Sequence, residues 1–278
     1  MEHSAETRSV PELRRIAREV RKSIIRMTNA AGSGHPGGSL SSADIMTALY
    51  FCLLKHDPKN PRWEGRDIFI LSKGHAAPGY YSVLAQAGYI PESELMTLRK
   101  LGSRLQGHAH TGVPGVELST GSLGQGLSVA CGMALASKLD GNKRRIVVLM
   151  SDGENDEGET WEAAMFAAYM KLDNITAFVD RNGIQNDGFT KDILDTSVLE
   201  EKWRAFGWNV ITINGHDFSE IIDAYGKSLQ QTGRPTVIIA NTVKGKGVSF
   251  MENNVAFHGK APTAEETVKA LAELDRAG

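Results

Sequence analysis

The sequence predicts an α/β fold: a doubly wound parallel sheet with helices on both faces. Three observations carry that expectation. Five short apolar runs have the length of buried strands, at Ile68 to Leu71, Ile146 to Met150, Ile175 to Val179, Trp208 to Ile213 and Thr236 to Ala240. Helical periodicity separates these runs, and a strand, helix, strand crossover makes its two strands parallel. No composition break interrupts the 278 residues, so residues 1–278 are expected to form one domain.

In chain order, Leu13, Ile16, Val20, Ile24 and Met27 mark an amphipathic helix from Pro11 to about Ala31, with Gly32 placed to end it. The stretch G-S-G-H-P-G-G (Gly32 to Gly38) contains Gly32, Gly34 and Gly37 in dinucleotide-fingerprint spacing. It follows a helix rather than a strand, so it is read as a loop that aims His35. Ser41 to Leu54 is a second helix. The Ile68 strand runs into S-K-G-H (Ser72 to His75), and Tyr80 to Gly88 is helical. Gly107 and His108 precede a Gly-rich loop, Thr111 to Gly126, which exposes backbone groups before the small-residue helix Leu127 to Leu139. From Gly158 onward, Trp161, Ala164, Met165, Ala168, Tyr169 and Leu172 define the expected apolar face of a helix. Glu200 to Phe206 and Phe218 to Gln230 are helical. K-G-K-G (Lys244 to Gly247) and A-F-H-G-K-A-P (Ala256 to Pro262) are loops, and Ala264 to Ala277 is a last, exposed helix.

Composition narrows the function classes. With 31 basic and 33 acidic residues the net charge is −2, which gives no reason to expect nucleic acid or an anionic membrane as partner. No run approaches the length of a membrane span, and the expected location is cytoplasmic. Cys52 and Cys131 have no metal-ligand spacing and read as buried free thiols in a reducing compartment.

Chemistry concentrates between Ser151 and Ile184. S-D-G-E-N-D-E-G (Ser151 to Gly158) follows one strand and D-R-N-G-I (Asp180 to Ile184) follows the next, so Asp152 and Asn182 emerge at one sheet edge, where open parallel sheets bind ligands. A carboxylate beside a carboxamide offers hard oxygen ligands, which suit Mg²⁺ or Ca²⁺ rather than zinc. Both dipeptides, D-G and N-G, read as surface turns.

At these residues the chain resembles the thiamine diphosphate enzymes, whose motif is G-D-G followed, after a similar spacer, by Asn; Ser151 replaces the first Gly. The closer resemblance is to the amino-terminal, diphosphate-binding domain of transketolases, from about Ala31 to Pro262. It rests on an ordered set: S-G-H-P-G at His35, L-S-K-G-H at His75, G-H at His108, G-V-E-L-S-T-G-S-L-G-Q-G before Gly126, S-D-G with E-G, D-R-N-G-I, and F-H-G-K-A-P at His258. The resemblance implies thiamine diphosphate and Mg²⁺, with Ca²⁺ or Mn²⁺ able to substitute. The metal would be held by the Asp152 and Asn182 side chains and the Ile184 carbonyl. Positions matched to the cofactor's surroundings are His75, Leu123, Gly124, Gly153, Glu154, Asn182 and His258. Those matched to catalysis are the substrate-channel histidines His35, His75, His108 and His258, and Glu157, a carboxylate at the subunit interface. His3, His56 and His110 match nothing, and His216 reads as structural.

The implied activity is transfer of a two-carbon ketol unit from a ketose phosphate to an aldose phosphate, as in the pentose phosphate pathway. Lys73 stands where transketolases often carry Asn, His110 where they have Glu and Ser122 where they have Pro, which bears on sugar specificity. The family's pyrimidine-binding and third domains lie beyond the matched stretch, as does the Glu that acts on the pyrimidine ring. A separate subunit carrying both is therefore the expected partner, in a heterotetramer of two of each. The competing readings are another thiamine diphosphate enzyme, either a 2-oxo acid dehydrogenase or a deoxyxylulose phosphate synthase, and a non-catalytic partner that has kept the fold.

Overall fold

The structure, a computed structural model, describes residues 8–276 except Thr196. Its sheet has five strands, all parallel: β1 (Ile68–Leu71), β2 (Ile146–Ser151), β3 (Ile175–Arg181), β4 (Asn209–Asn214) and β5 (Thr236–Asn241), in the spatial order β1-β2-β3-β5-β4. The register sets Ser151 beside Asp180 and Asp180 beside Ala240, so the ends of β2, β3 and β5 stop at one level. The α-helices are α1 (Val10–Ala31), α2 (Pro36–Ser41), α3 (Ala43–Ala48), α4 (Ala77–Gln86), α5 (Gln125–Leu139), α6 (Gly158–Tyr169), α7 (Thr190–Ile193), α8 (Leu199–Ala205), α9 (Phe218–Gln230) and α10 (Ala264–Arg276).

Alternate strand residues supply two cores, because successive side chains point to opposite faces. Val147, Leu149, Phe178 and Ile238 pack with α1, α3, α4 and α9, whereas Val148, Met150, Ala177 and Val179 pack with α5, α6 and α8. This is the doubly wound arrangement predicted.

Three expectations need correction. The helix expected over 41–54 starts earlier, at Pro36, whose fixed φ suits a first helical position. It breaks at Ser42, whose hydroxyl donates back to the Gly38 carbonyl, and it ends in a π-turn, Leu49–Leu53. The face of α6 is also rotated from the expected one. Thr160, Ala163, Ala164 and Ala167 are buried, while Met165, Phe166 and Tyr169 are 54%, 41% and 82% exposed. Small residues let α6 lie close to α5 and turn its large apolar side chains outward, next to Val129 and Leu139 of α5, which are also exposed. Finally, α10 is not simply exposed: Ala270 and Leu274 are buried, and the helix lies against α1. No helix among the described residues is long and apolar enough to cross a membrane.

Candidate active site

Three strand ends and α2 converge on Asp180. This carboxylate, fully buried at the end of β3, pairs with the ammonium of Lys73, itself fully buried just beyond β1. Lys73 also donates to the Gly38 carbonyl at 2.8 Å. Asp180 accepts from Ser41 Oγ at 2.6 Å, from the Thr242 hydroxyl and from Asn182 Nδ2 at 3.1 Å. Burial pushes this carboxyl up, but the Lys73 charge and these hydrogen bonds outweigh it and hold it below the usual carboxylate range. The substituted position 73 thus faces a charge inside the protein and ties α2, β1, β3 and the end of β5 together.

Asp152 and Asn182 meet as predicted, although neither lies in a surface turn. Asp152 is 1% and Asn182 6% exposed. Asp152 Oδ2 accepts the Gly183 N–H at 2.6 Å and Oδ1 that of Gly153 at 2.9 Å, so it binds the two loops to each other. Burial, followed by the nearby Asp180 charge, pushes its carboxyl up to about 6. Asn182 Oδ1 accepts the Ile184 N–H at 3.2 Å. The Ile184 carbonyl accepts from Lys244 Nζ at 2.7 Å.

The sequence places Lys244 only in a loop, yet it is 2% exposed and also lies 2.8 Å from His258 Nδ1. An ammonium can only donate, so that ring nitrogen accepts and Nε2 carries the imidazole proton. Burial and the Lys73 charge lower Lys244 to about 8, against the pull of Asp152 and Asp180. Together His75, Leu123, Asp152, Gly153, Glu157, Ile184, Lys244 and His258 line a cleft of about 180 Å³.

The four matched histidines form one cluster, of which His75 and His258 also line that cleft. Ring centroids lie 5.4 Å apart for His35 and His75, 5.6 Å for His35 and His258, 5.4 Å for His75 and His258, and 6.2 Å for His35 and His108. Burial is the first cause that keeps them neutral, and neighbouring cations add to it. His35 falls to about 4 and His258 to about 3, while His75 and His108 are also lowered. His35 Nδ1 is buried without a hydrogen-bond partner among the described residues.

The remaining matched positions take different places. Glu154 is fully buried and does not line the cleft: its carboxylate accepts from the Ser72 hydroxyl, the Gly124 N–H at 2.9 Å and the Ser151 N–H at 3.2 Å. It therefore holds the Gly-rich loop onto β1 and β2. Gly124 has φ +89°, and a Cβ there would come within 2.9 Å of Glu157 Cβ, so this position suits only glycine. Glu157 is exposed at the start of α6, against the same loop.

Other histidines stay apart from the cluster. His110 is exposed and accepts the Gly112 N–H in its own turn. His56 bridges Tyr89 and the Tyr50 carbonyl, and His216 joins Asp44 to the Val243 N–H. His3 lies outside the described residues. Ser122 is exposed in the Gly-rich loop. Sequence reasoning missed Lys244 and Asp180. The signal that would have found both is position, since each sits at the end of a predicted strand on the edge already assigned to ligands.

A family model described as the transketolase thiamine diphosphate binding domain matches residues 13–274. An apulose-4-phosphate transketolase subunit of Actinobacillus succinogenes is 48% identical over 268 residues, which cover 96% of this chain and 97% of that one. The 6-deoxy-6-sulfo-D-fructose transketolase subunit SqwG of a Clostridium species is 45% identical, with 96% and 98% covered. Human transketolase is 40% identical over 93% of this chain but only 41% of its own length. Among solved structures, transketolase from Campylobacter jejuni superposes with a TM-score of 0.91 at 35% identity, covering 96% of this chain and 43% of that one. With the strand-end site, the histidine cluster and these matches together, the chain belongs to the transketolase family and corresponds to its thiamine diphosphate-binding domain.

Proposed function

We propose that this chain is the diphosphate- and Mg²⁺-holding subunit of a two-chain transketolase that moves a two-carbon ketol unit from a ketose phosphate to an aldose phosphate. The observation that carries the reading is the cluster of four neutral imidazoles beside a buried, oxygen-rich corner at the sheet edge.

The donor set fits the metal. One carboxylate, one carboxamide and one backbone carbonyl are hard oxygen ligands, and Mg²⁺ leaves positions open for phosphate oxygens. Asp152 is a buried carboxylate next to Asp180, so a cation there relieves both burial and repulsion. Asp152, Asn182 and the Ile184 carbonyl would hold the ion, and Lys244 would face the diphosphate charge. Bound thiamine diphosphate supplies the carbanion chemistry. The protein's part is orientation, charge stabilisation and exclusion of water. Leu123 and Gly124 would present backbone to the aminopyrimidine ring. His35, His75, His108 and His258, neutral at physiological pH, can donate to or accept from sugar hydroxyls, and His35 Nδ1 has an unused hydrogen-bonding position for one.

The relatives named as subunits, matched over nearly their whole length, support a separate partner. In this reading that partner carries the pyrimidine-binding and third domains, and the two chains assemble two and two. The exposed apolar face of α5 and α6 is suited to such an interface. The working location is the cytoplasm, and the natural context is sugar phosphate metabolism such as the pentose phosphate pathway.

The test is reconstitution with the partner subunit, Mg²⁺ and thiamine diphosphate, followed by mass analysis of products from ketose phosphate donors and aldose phosphate acceptors. Products extended by two carbons are expected. A 2-oxo acid turned over in preference to every ketose would overturn the reading.

A further inference from the structure

A second cavity, of about 530 Å³, lies where α1 meets the Val243 to Gly247 turn, the start of α9 and α10. We propose that it is a binding site for a multiply charged organic phosphate. Arg14, Arg18 and Arg21 recur at i, i+4 and i+7 along α1 and so form one stripe, with Arg15 beside it and Lys246 opposite. Among the described residues, Arg14, Arg15 and Arg18 make no side-chain hydrogen bond or ion pair. The carboxylates of Glu12 and Asp275 feel Arg15 and Arg18 only through space. The one carboxylate that lines the cavity, Asp44, is already neutralised: Arg21 grips it with two bonds of 2.9 and 2.6 Å and His216 with a third of 2.8 Å. Among the described residues, Lys246 pairs with one carboxylate, Glu252, at 3.3 Å. The cavity therefore carries a clear excess of positive charge in a chain whose net charge is −2.

The wall is built rather than incidental. Arg21 Nε donates to the Lys246 carbonyl at 3.2 Å, and Gly247, with φ +94°, lies so close that a Cβ would meet Arg21 Cδ at 3.2 Å and Leu274 at 3.1 Å. A mostly fixed guanidinium beside free ones is the arrangement that recognises phosphate, since each planar fork can donate two parallel bonds. Pro11, Phe218 and Leu274 supply an apolar floor for the organic part, and the volume falls within the range of small-molecule pockets. The turn separates this cavity from the active-site cleft, with Lys244 lining the cleft and Lys246 lining the cavity.

Calorimetric titration of the full chain with inorganic pyrophosphate, at about 0.15 M ionic strength to suppress loose surface association, tests the site. Three proteins are compared: wild type, Arg14→Gln/Arg18→Gln and Lys244→Met. Saturable binding is expected in the wild type. It should weaken at least tenfold in Arg14→Gln/Arg18→Gln, persist in Lys244→Met, and be only partly restored in Arg14→Lys/Arg18→Lys, which returns the charge without the planar fork. Both arginines are surface residues of a long helix, and an unchanged unfolding midpoint of the double variant verifies that its fold is intact. No saturable binding in the wild type, unaltered affinity in Arg14→Gln/Arg18→Gln, or loss confined to Lys244→Met, which would place the anion in the active-site cleft, would each overturn the proposal.

Discussion

Asp152 Oδ2 accepts the Gly183 N–H at 2.6 Å, so the side chain proposed to hold the cation also fastens the loop that delivers its second ligand, Asn182. The proposed metal ligand and the loop clamp are one group. The burial of that carboxylate beside Asp180 makes it costly until a cation arrives, a common trade of stability for function.

Asp152→Asn separates the two roles. The amide keeps an acceptor for Gly183 but removes the charge, together with the weaker local acceptor for the Gly153 N–H. Without metal, the variant should unfold at a temperature equal to or above that of the wild type. With Mg²⁺ and thiamine diphosphate at a hundredfold excess over Kd, the wild type should gain about 2.7 kcal/mol, and the variant should gain almost none. Asp152→Ala loses the clamp as well and should unfold below Asp152→Asn. Calorimetry showing wild-type cofactor affinity in either variant would remove Asp152 from the ligand set.

The histidines divide by position. His108 is exposed and does not line the cleft, whereas His258 lines it and contacts Lys244. His108→Ala should therefore lower kcat/KM by ten- to a hundredfold, roughly 1.4–2.8 kcal/mol of lost transition-state interaction, with cofactor affinity unchanged. His258→Ala should lower both. Steady-state kinetics of the assembled enzyme with thiamine diphosphate titrations distinguish them, and an equal cofactor defect in His108→Ala would contradict the division.

His35 is held near 4 by burial first and by Arg99 second. Arg99→Ala should raise its pKa without restoring the ordinary value of 6.5, because burial remains. Histidine NMR titration reads this directly. A return to the ordinary value would make charge, not burial, the main cause.

Much of this site was legible because parallel strands between two helical layers are apolar throughout, and their carboxyl ends are marked by the short polar stretch after each run. Asp152, Asn182 and His75 are found that way. The burial of Lys73, Lys244 and Asp180 is not, because a charge just past a strand looks the same in sequence whether solvated or buried; only the meeting of β1, β3 and β5 shows that Lys73 neutralises Asp180. The α6 face escapes for a related reason. Periodicity finds an apolar stripe but cannot tell one that packs inside from one that waits for another surface, and the alanines of α6 took the inner side. The break at Ser42 arises from a side-chain to backbone bond that periodicity does not register.

Acid stability should report Asp44. Burial alone would raise its carboxyl, but Arg21 and His216 outweigh it and lower the group from 3.8 to about 2. A depressed carboxyl contributes stability above its unfolded pKa and loses it as pH falls through the folded one. The contribution, about 2 kcal/mol at one pKa unit per 1.36 kcal/mol, should thus be complete above about pH 4 and fade toward pH 2. Asp44→Asn leaves Arg21 buried without its counter-charge and should be clearly less stable at pH 7, with the gap to the wild type closing between about pH 4 and 2. A gap independent of pH in urea melts would assign the loss to packing instead.

The outward face of α5 and α6 gives the sharpest test of assembly. Tyr169 is 82%, Leu139 79%, Met165 54% and Phe166 41% exposed, a patch of large side chains toward the carboxyl ends of the two helices, whereas Glu157, which lines the cleft, caps the amino end of α6. Because Tyr169 is mostly in water, Tyr169→Glu should change the stability of the isolated chain by less than about 0.5 kcal/mol, and Phe166→Glu, at a more covered site, should cost more while leaving the chain folded. At an interface the same changes bury charge against apolar surface, and aromatic anchors there typically cost about 2 kcal/mol or more when lost. Ultracentrifugation with the partner subunit should then show dissociation, with ketol transfer lost in step. Val268→Glu is the control: Val268 is 70% exposed on α10, which packs with α1 on the opposite face of the sheet, so assembly should survive it. Glu157→Gln, at the amino end of α6, should weaken assembly or uncouple the two sites more than it weakens metal binding. The chain alone, with Mg²⁺ and thiamine diphosphate, should show no ketol transfer; activity from the purified single chain would overturn the two-chain reading, and wild-type assembly by Phe166→Glu/Tyr169→Glu would show that this face does not carry the partner.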